Sequence, residues 1–167
     1  MGNYAHQRLK PMESIEFGQA ILKANQREVA FLTCLYYWAL RIGEARTLEA
    51  KHFIIEDAKI YLNLRKRLKG SHSPEPMGVK RVNYGVPQLI NYIESTPEGL
   101  LFPFSRMTGW RIVKKVSGLY PHFFRMSRIT VTLAKYGVPG VKQLLKLPIQ
   151  TIDYYSGYLL REGMEIE

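Results

Sequence analysis

A single cysteine, Cys34, occurs among the 167 residues of this chain. One thiol cannot form an internal disulfide framework, nor can it supply a zinc site built on several cysteines. Because Cys34 stands inside the apolar segment 30–36, we interpret it as a buried core thiol rather than a nucleophile. The lack of a disulfide framework is typical of an intracellular protein.

Long hydrophobic runs are lacking as well. No stretch approaches the roughly 18 apolar residues that a membrane-spanning helix needs, and residues 1–7 contain no apolar signal core. We find neither an internal repeat nor a low-complexity segment. These absences predict an intracellular protein that does not insert into a membrane.

Acidic residues are scarce, with 14 Asp and Glu against 24 Lys and Arg, which gives a formal net charge of +10 at pH 7. Such an excess favours a polyanionic partner, with nucleic acid first and an anionic membrane surface second. The membrane surface is the weaker candidate because the basic residues do not lie along one amphipathic helix. A solvated basic surface without any partner remains the alternative.

The remaining composition is typical of a globular protein, with 46% hydrophobic and 23% charged residues, and the length favours one domain. Residues 1–13 are polar and basic and are interpreted as a lead-in or linker, followed by the main domain over 14–167. Helical spacing of apolar residues predicts a first helix over 14–25, with Ser14 as its cap, and a second over 26–40.

After residue 50 the pattern changes to alternating apolar residues, which predicts strands at 53–55, 59–64 and 79–86. The last two strands would form a hairpin with a long polar tip. Further helices are predicted after Pro87 and over 106–117, 121–136, 141–147 and 149–160. A short helical turn is also predicted at 45–50, before the first strand. The expected fold is mainly α (α+β), with a small antiparallel sheet near residues 53–86.

Four segments contain side chains suited to chemistry on phosphates. Each also has an ordinary structural interpretation: a cation at a helix end, a solvated strand edge, a surface histidine, or core aromatics. One of these segments contains His122 and Arg125, which are three residues apart and share one face of a helix. In chain order, the candidates are Arg41 and Glu44; the hairpin cations Arg65, Lys66, Arg67, Lys69, Lys80 and Arg81; His122 and Arg125; and Tyr154, Tyr155 and Tyr158.

In their order and separations, these segments resemble the catalytic domain of the tyrosine recombinases, the phage-integrase family. Residues 40–44 (Leu-Arg-Ile-Gly-Glu) are similar to its first arginine box, and residues 67–69 (Arg-Leu-Lys) to its hairpin lysine. Residues 122–125 (His-Phe-Phe-Arg) are similar to its His-x-x-Arg box, and residues 143–155 to the segment that delivers the tyrosine. The resemblance extends over residues 14–160.

The resemblance implies a site-specific recombinase or integrase that cuts and rejoins double-stranded DNA through a covalent 3′-phosphotyrosyl intermediate, without a metal or another cofactor. Arg41 and Arg125 would hold the scissile phosphate, and Lys69 would protonate the leaving oxygen. His122 would assist proton transfer, and Tyr155 would be the nucleophile. Glu44 would orient Arg41 or a neighbouring basic group. The other hairpin cations, Arg65, Lys66, Arg67, Lys80 and Arg81, would bind the flanking DNA backbone.

The same resemblance implies self-association into dimers or tetramers on DNA, in a prokaryotic or virus-infected cell. The separate helical N-terminal module of two-domain family members is expected to be absent. Lys66 and Lys80 are alternatives to Lys69, because the hairpin register is uncertain by a residue or two, and Tyr154 and Tyr158 are alternatives to Tyr155.

Two positions depart from the family pattern. Leu147 stands near the usual second histidine or tryptophan, where Lys146 is a candidate substitute, and Met126 follows the second arginine in place of a histidine. These departures keep open a non-catalytic DNA-binding module derived from a recombinase. A type IB topoisomerase-like enzyme, which shares the chemistry, is the other alternative.

Overall fold

The structure of the protein, a computed structural model, describes residues 10–63, 77–145 and 150. Within these ranges the chain is mainly helical with one small antiparallel sheet, which confirms the expected composition of the fold. In chain order the elements are α1 (Ser14–Ala20), α2 (Gln26–Tyr37), α3 (Ile42–Ala45), a 3-10 turn (Ala50–His52), β1 (Phe53–Ile55), β2 (Lys59–Leu62), β3 (Met77–Lys80), α4 (Val86–Ser95), α5 (Arg106–Ser117) and α6 (Pro121–Leu144).

Helix α2 forms the centre of the molecule, packed against α4 on one side and α6 on another. Asn25 begins it, because the Asn25 side chain accepts from the backbone N–H of Glu28 at 2.9 Å and the Glu28 carboxylate accepts from the N–H of Asn25 at 3.1 Å. Residues 28–37 are all buried, Cys34 among them, as predicted. A helix buried on every face needs partners all round it.

The sheet has the order β1-β2-β3, and both pairings are antiparallel. Ile60 pairs with Val79, and both side chains face the core. The predicted returning strand 79–86 is wrong at its end, because β3 stops at Lys80. Gly85 then takes a left-handed φ of 85°, and a Cβ there would lie 2.3 Å from Thr33 Oγ1, so the chain turns tightly against α2 before α4 begins.

The first two helices end earlier than predicted, at Ala20 and Tyr37. Glu13 rather than Ser14 is the N-cap of α1, and its N–H donates to the carboxylate of Glu16 at 3.0 Å. After α2, Ala39 has a φ of 52°, a left-handed backbone conformation that residues with a Cβ rarely adopt. This turn redirects the chain, so α3 begins at Ile42 instead of residue 45.

Helix α6 joins two of the predicted helices, 121–136 and 141–147, across a kink. Gly137 has φ 68° and ψ −166°, and Pro139 lacks a donor for the helical ladder, so the break falls between the two predicted segments. The predicted helix 149–160 lies outside the described residues except for Gln150.

Candidate functional site: a basic pocket at the start of α6

A pocket of about 470 Å³ lies where the start of α6 meets α3 and α5. It contains three arginines and one histidine, and no carboxylate is among the residues that line it. The lining residues are Arg41, Ile42, Arg106, Trp110, Tyr120, Pro121, His122 and Arg125. A concave surface lined by several cations attracts an anionic ligand.

Arg41 reaches the pocket from the end of the turn that follows α2. It is the N-cap residue of α3, and its backbone N–H donates to Glu44 Oε1 at 2.8 Å. Its Nη1 lies 3.6 Å from Glu44 Oε2. Because the side chain is 57% exposed, Arg41 is held mainly by its backbone and presents its guanidinium to solvent.

Arg125 approaches the same pocket from α6, but its side chain is only 4% exposed. Its Nη1 donates to the carbonyl oxygen of Ala39 at 2.6 Å and lies 3.9 Å from Glu44 Oε1. The left-handed residue Ala39 therefore supplies an acceptor that holds a buried arginine, an example of unusual backbone at a polar site.

Glu44 lies between the two arginines and interacts with both. It does not line the pocket. A carboxylate in this position fixes the relative placement of the Arg41 and Arg125 guanidiniums. It also offsets part of the repulsion between two like charges.

His122 is in the first turn of α6 and is exposed. Pro121 occupies the N1 position, where its missing N–H removes no helical hydrogen bond, and Tyr120 is the N-cap. The first turn of a helix also contains backbone N–H groups without helical acceptors, which favour an anion nearby. His122 and Arg125 both line the pocket, as their spacing on one helical face predicts.

Arg106, Trp110 and Tyr120 are pocket residues that the sequence reasoning missed. Arg106 and Trp110 are four residues apart on α5, whose start is capped by Ser105 accepting from the N–H of Thr108 at 3.1 Å. The predicted helix 106–117 already places Arg106 and Trp110 on one helical face. The sequence does not indicate what that face meets, because this depends on how α5 packs.

Several predicted site residues lie elsewhere. Lys80 is the last residue of β3 and Arg81 follows it, and neither lines this pocket. Arg81 Nη1 donates to the carbonyl of Glu56 at 3.0 Å. Met126 is buried in the core. The others lie outside the described residues: Arg65, Lys66, Arg67, Lys69, Lys146, Leu147, Tyr154, Tyr155 and Tyr158.

No protein-family model matches this sequence, and no curated protein or solved structure was found to match it. Over residues 10–63 and 77–145, no helix is both long enough and apolar enough to cross a membrane. Within the same ranges, no three His, Cys, Asp or Glu side chains are grouped as a metal site would require.

Proposed function

We propose that this chain is a site-specific DNA recombinase or integrase that cuts and rejoins double-stranded DNA through a tyrosine. The observation that carries the proposal is the pairing of Arg41 and Arg125 through Glu44 in a pocket that also contains His122. The resemblance to tyrosine recombinases assigns Arg41 and Arg125 to the scissile phosphate, Glu44 to the orientation of a basic group and His122 to proton transfer.

Two arginines suit this task because a phosphodiester has a negative charge that grows on its non-bridging oxygens as a fifth oxygen approaches. A guanidinium remains charged at any working pH and donates through a fixed fork of N–H groups. With Arg125 held by Ala39 and Glu44, its orientation is set before the substrate arrives. Donors oriented in advance toward developing charge are usually the largest contribution to catalysis.

The proposed reaction exchanges one phosphodiester for another. The phenolic oxygen of Tyr155 attacks phosphorus and forms the 3′-phosphotyrosyl bond, while the bond to the 5′ oxygen breaks. The ammonium of Lys69 protonates that leaving oxygen, and His122 accepts the proton released by the tyrosine. In the rejoining step the 5′ hydroxyl attacks the phosphotyrosyl bond and the proton transfers reverse, so no net hydrolysis occurs.

The nucleophile must be activated, because a phenol with a pKa of about 10 is ionised in only about one molecule in a thousand at pH 7. Cations close to the phenol lower that pKa by favouring the phenolate. The three arginines of the pocket are the cations that we propose for this role. Hairpin cations such as Arg65 and Arg67 would bind the flanking backbone, and the resemblance implies dimers or tetramers on DNA.

The test is covalent trapping on a suicide duplex, whose nick lets the cleaved fragment diffuse away. We expect a denaturation-resistant protein–DNA adduct with the native chain and with Tyr154→Phe, and none with Tyr155→Phe. Tyr120→Phe is the matched control, since Tyr120 lines the pocket and is the N-cap of α6. An adduct that survives in Tyr155→Phe but is lost in Tyr120→Phe would move the nucleophile to Tyr120.

Two further outcomes separate the alternatives. Specific duplex binding without adduct, across metal-free and metal-containing buffers and several nick positions, would favour the non-catalytic DNA-binding module. Relaxation of supercoiled plasmid without strand exchange between two duplexes would favour the topoisomerase.

A further inference from the structure

A second basic region lies further along α6, against β2, β3 and the tyrosines of α2. It consists of two adjacent cavities of about 320 and 640 Å³ that share Lys59, Gly78, Arg128, Thr132 and Tyr136. We call this region the Arg128 cleft. None of its lining residues lines the basic pocket at the start of α6, so the two regions are distinct.

Arg128 is the central cation of the cleft and is held without a carboxylate. Its Nε donates to the carbonyl of Tyr37 at 3.2 Å, and its guanidinium carbon lies 5.9 Å and 5.5 Å from the ring centroids of Tyr36 and Tyr37. No carboxylate within salt-bridge distance of Arg128 occurs in the part of the chain that the structure describes. Burial lowers the pKa of Arg128, as expected for a partly desolvated cation without an acidic partner.

The rest of the lining adds positive charge and a hydroxyl. Lys59, Lys80 and Lys135 are exposed residues at the walls, and the described residues that line the two cavities include no Asp or Glu. Thr132 lines both cavities and is only 2% exposed, and its Oγ1 has no hydrogen-bond partner among the described residues. A buried hydroxyl without a partner is unfavourable, so a ligand that accepts a hydrogen bond from it is favoured.

A purely structural role would account for Arg128 alone, since stacking on two tyrosines stabilises a cation. It does not account for three lysines beside Arg128 without an acid, nor for the unsatisfied hydroxyl of Thr132. Like charges gathered in one cleft repel one another, and a bound anion would remove that cost.

We propose that the Arg128 cleft binds a phosphate group. A phosphate offers several acceptor oxygens and up to two negative charges, which suits one guanidinium fork, three ammonium groups and one hydroxyl better than a single carboxylate does. A free phosphate compound and a phosphate of the DNA backbone have the same binding chemistry, and the experiment distinguishes the two sources. None of the cleft residues lines the basic pocket. Lys80 is also one of the hairpin cations that the resemblance assigns to the DNA backbone, so the test variants change other residues of the cleft.

The experiment measures binding of inorganic pyrophosphate, and separately of an uncut DNA duplex, by calorimetry at constant ionic strength. The test variants are the double substitution Lys59→Gln with Lys135→Gln, and Thr132→Val. The matched control, Lys23→Gln with Lys114→Gln, removes the same charge from exposed residues outside the cleft. Pyrophosphate affinity should fall at least about tenfold in the cleft double variant and less than twofold in the control.

Thr132→Val separates binding from folding. Removing an unpartnered buried hydroxyl should leave the urea midpoint unchanged or raised, while pyrophosphate affinity falls. Loss of duplex affinity in the cleft variants would identify the DNA backbone as the source of the phosphate, and loss for pyrophosphate alone would identify a free ligand. Equal affinities of the cleft variants and the control for both ligands, or acetate binding as tightly as pyrophosphate, would overturn the proposal.

Discussion

Arg125 and Arg128 are three residues apart on α6, yet they are held in opposite ways. Arg125 is buried, donates to the Ala39 carbonyl at 2.6 Å and lies 3.9 Å from the carboxylate of Glu44. Arg128 is partly buried and stacks on Tyr36 and Tyr37, and none of the described carboxylates lies within salt-bridge distance of it. The same residue type on the same helix therefore serves two environments.

The two environments differ in how far they fix the direction of the guanidinium and how much of its charge they offset. A carboxylate behind a guanidinium fixes its direction and offsets part of its charge, which suits an arginine that must meet one phosphate in one geometry. Aromatic rings stabilise a guanidinium over their faces but leave its charge uncompensated. Arg125 thus belongs to a site oriented in advance, and Arg128 to a site that gathers negative charge.

The largest expected effect is on catalysis by Arg125→Lys. A lysine keeps the charge but loses the fork that contacts Ala39 and the substrate, so we expect cleavage of the suicide duplex to slow at least about 100-fold. Arg111→Lys, at an exposed position of α5 outside the pocket, is the control. If Arg128→Lys slows cleavage as much as Arg125→Lys, the contrast between the two arginines fails.

The alkaline stability of the protein tests the aromatic side of the comparison. Burial raises the pKa of Tyr37 to about 12 and raises that of Tyr36 as well, and both hydroxyls donate to backbone carbonyls. Between about pH 10 and 12 the unfolded chain loses these protons first, so the free energy of unfolding falls as pH rises. Each tyrosine contributes a slope of up to about 1.4 kcal/mol per pH unit.

Urea unfolding at pH 9 and pH 11 measures that slope. Tyr36→Phe should make it shallower, because one of the two titrating groups is removed. Tyr84→Phe is the control, since Tyr84 is 55% exposed. A slope in Tyr36→Phe that matches the native chain would show that the tyrosines beneath Arg128 are not the groups responsible.

Glu44→Gln tests the carboxylate side with a smaller effect. The amide keeps the shape but loses the charge that positions Arg41 and Arg125, and we expect cleavage to slow about tenfold through misplacement of the two guanidiniums. Glu98→Gln, at an exposed residue, should cleave at the native rate. Native-rate cleavage by Glu44→Gln would mean that Ala39 alone orients Arg125.

The smallest expected effect is on acid stability and comes from the ion pair of Glu28 and Lys115. This pair lies outside both basic regions, so it can be compared with the contacts of Glu44. Burial would raise the pKa of Glu28, but hydrogen bonds from Lys115 and from the N–H of Asn25 outweigh it, and the net shift is downward. The ionised Glu28 carboxylate therefore stabilises the fold above its unfolded pKa. That stabilisation is lost as pH falls through the lowered pKa of Glu28 in the folded state.

Because Lys115 is 66% exposed, we expect only about 1 kcal/mol from this pair at neutral pH. Glu28→Gln should remove the corresponding part of the acid loss in urea unfolding between pH 6 and pH 3. An unchanged acid profile would show that the pair adds nothing beyond the helix cap at Asn25.

Local patterns predicted most elements because their causes are local. Apolar spacing predicted α2 and α5, alternation predicted the strands, and Pro87 indicated the start of α4. The errors occurred where long-range contacts decide the backbone. Gly85 turns because Thr33 occupies the space beside it, and the left-handed turn at Ala39 accompanies the early end of α2.

The mainly helical composition, the positive charge and the helical face shared by His122 and Arg125 follow from the sequence alone, since they depend on spacing and residue type. Three contacts follow only from the folded structure. Arg106 and Trp110 line the same pocket as that face, Glu44 contacts the two arginines at positions 41 and 125, and Arg128 lies on the rings at positions 36 and 37. The physical reason is that such contacts depend on how helices distant in the chain pack together. Spacing within one helix contains no information about its partner.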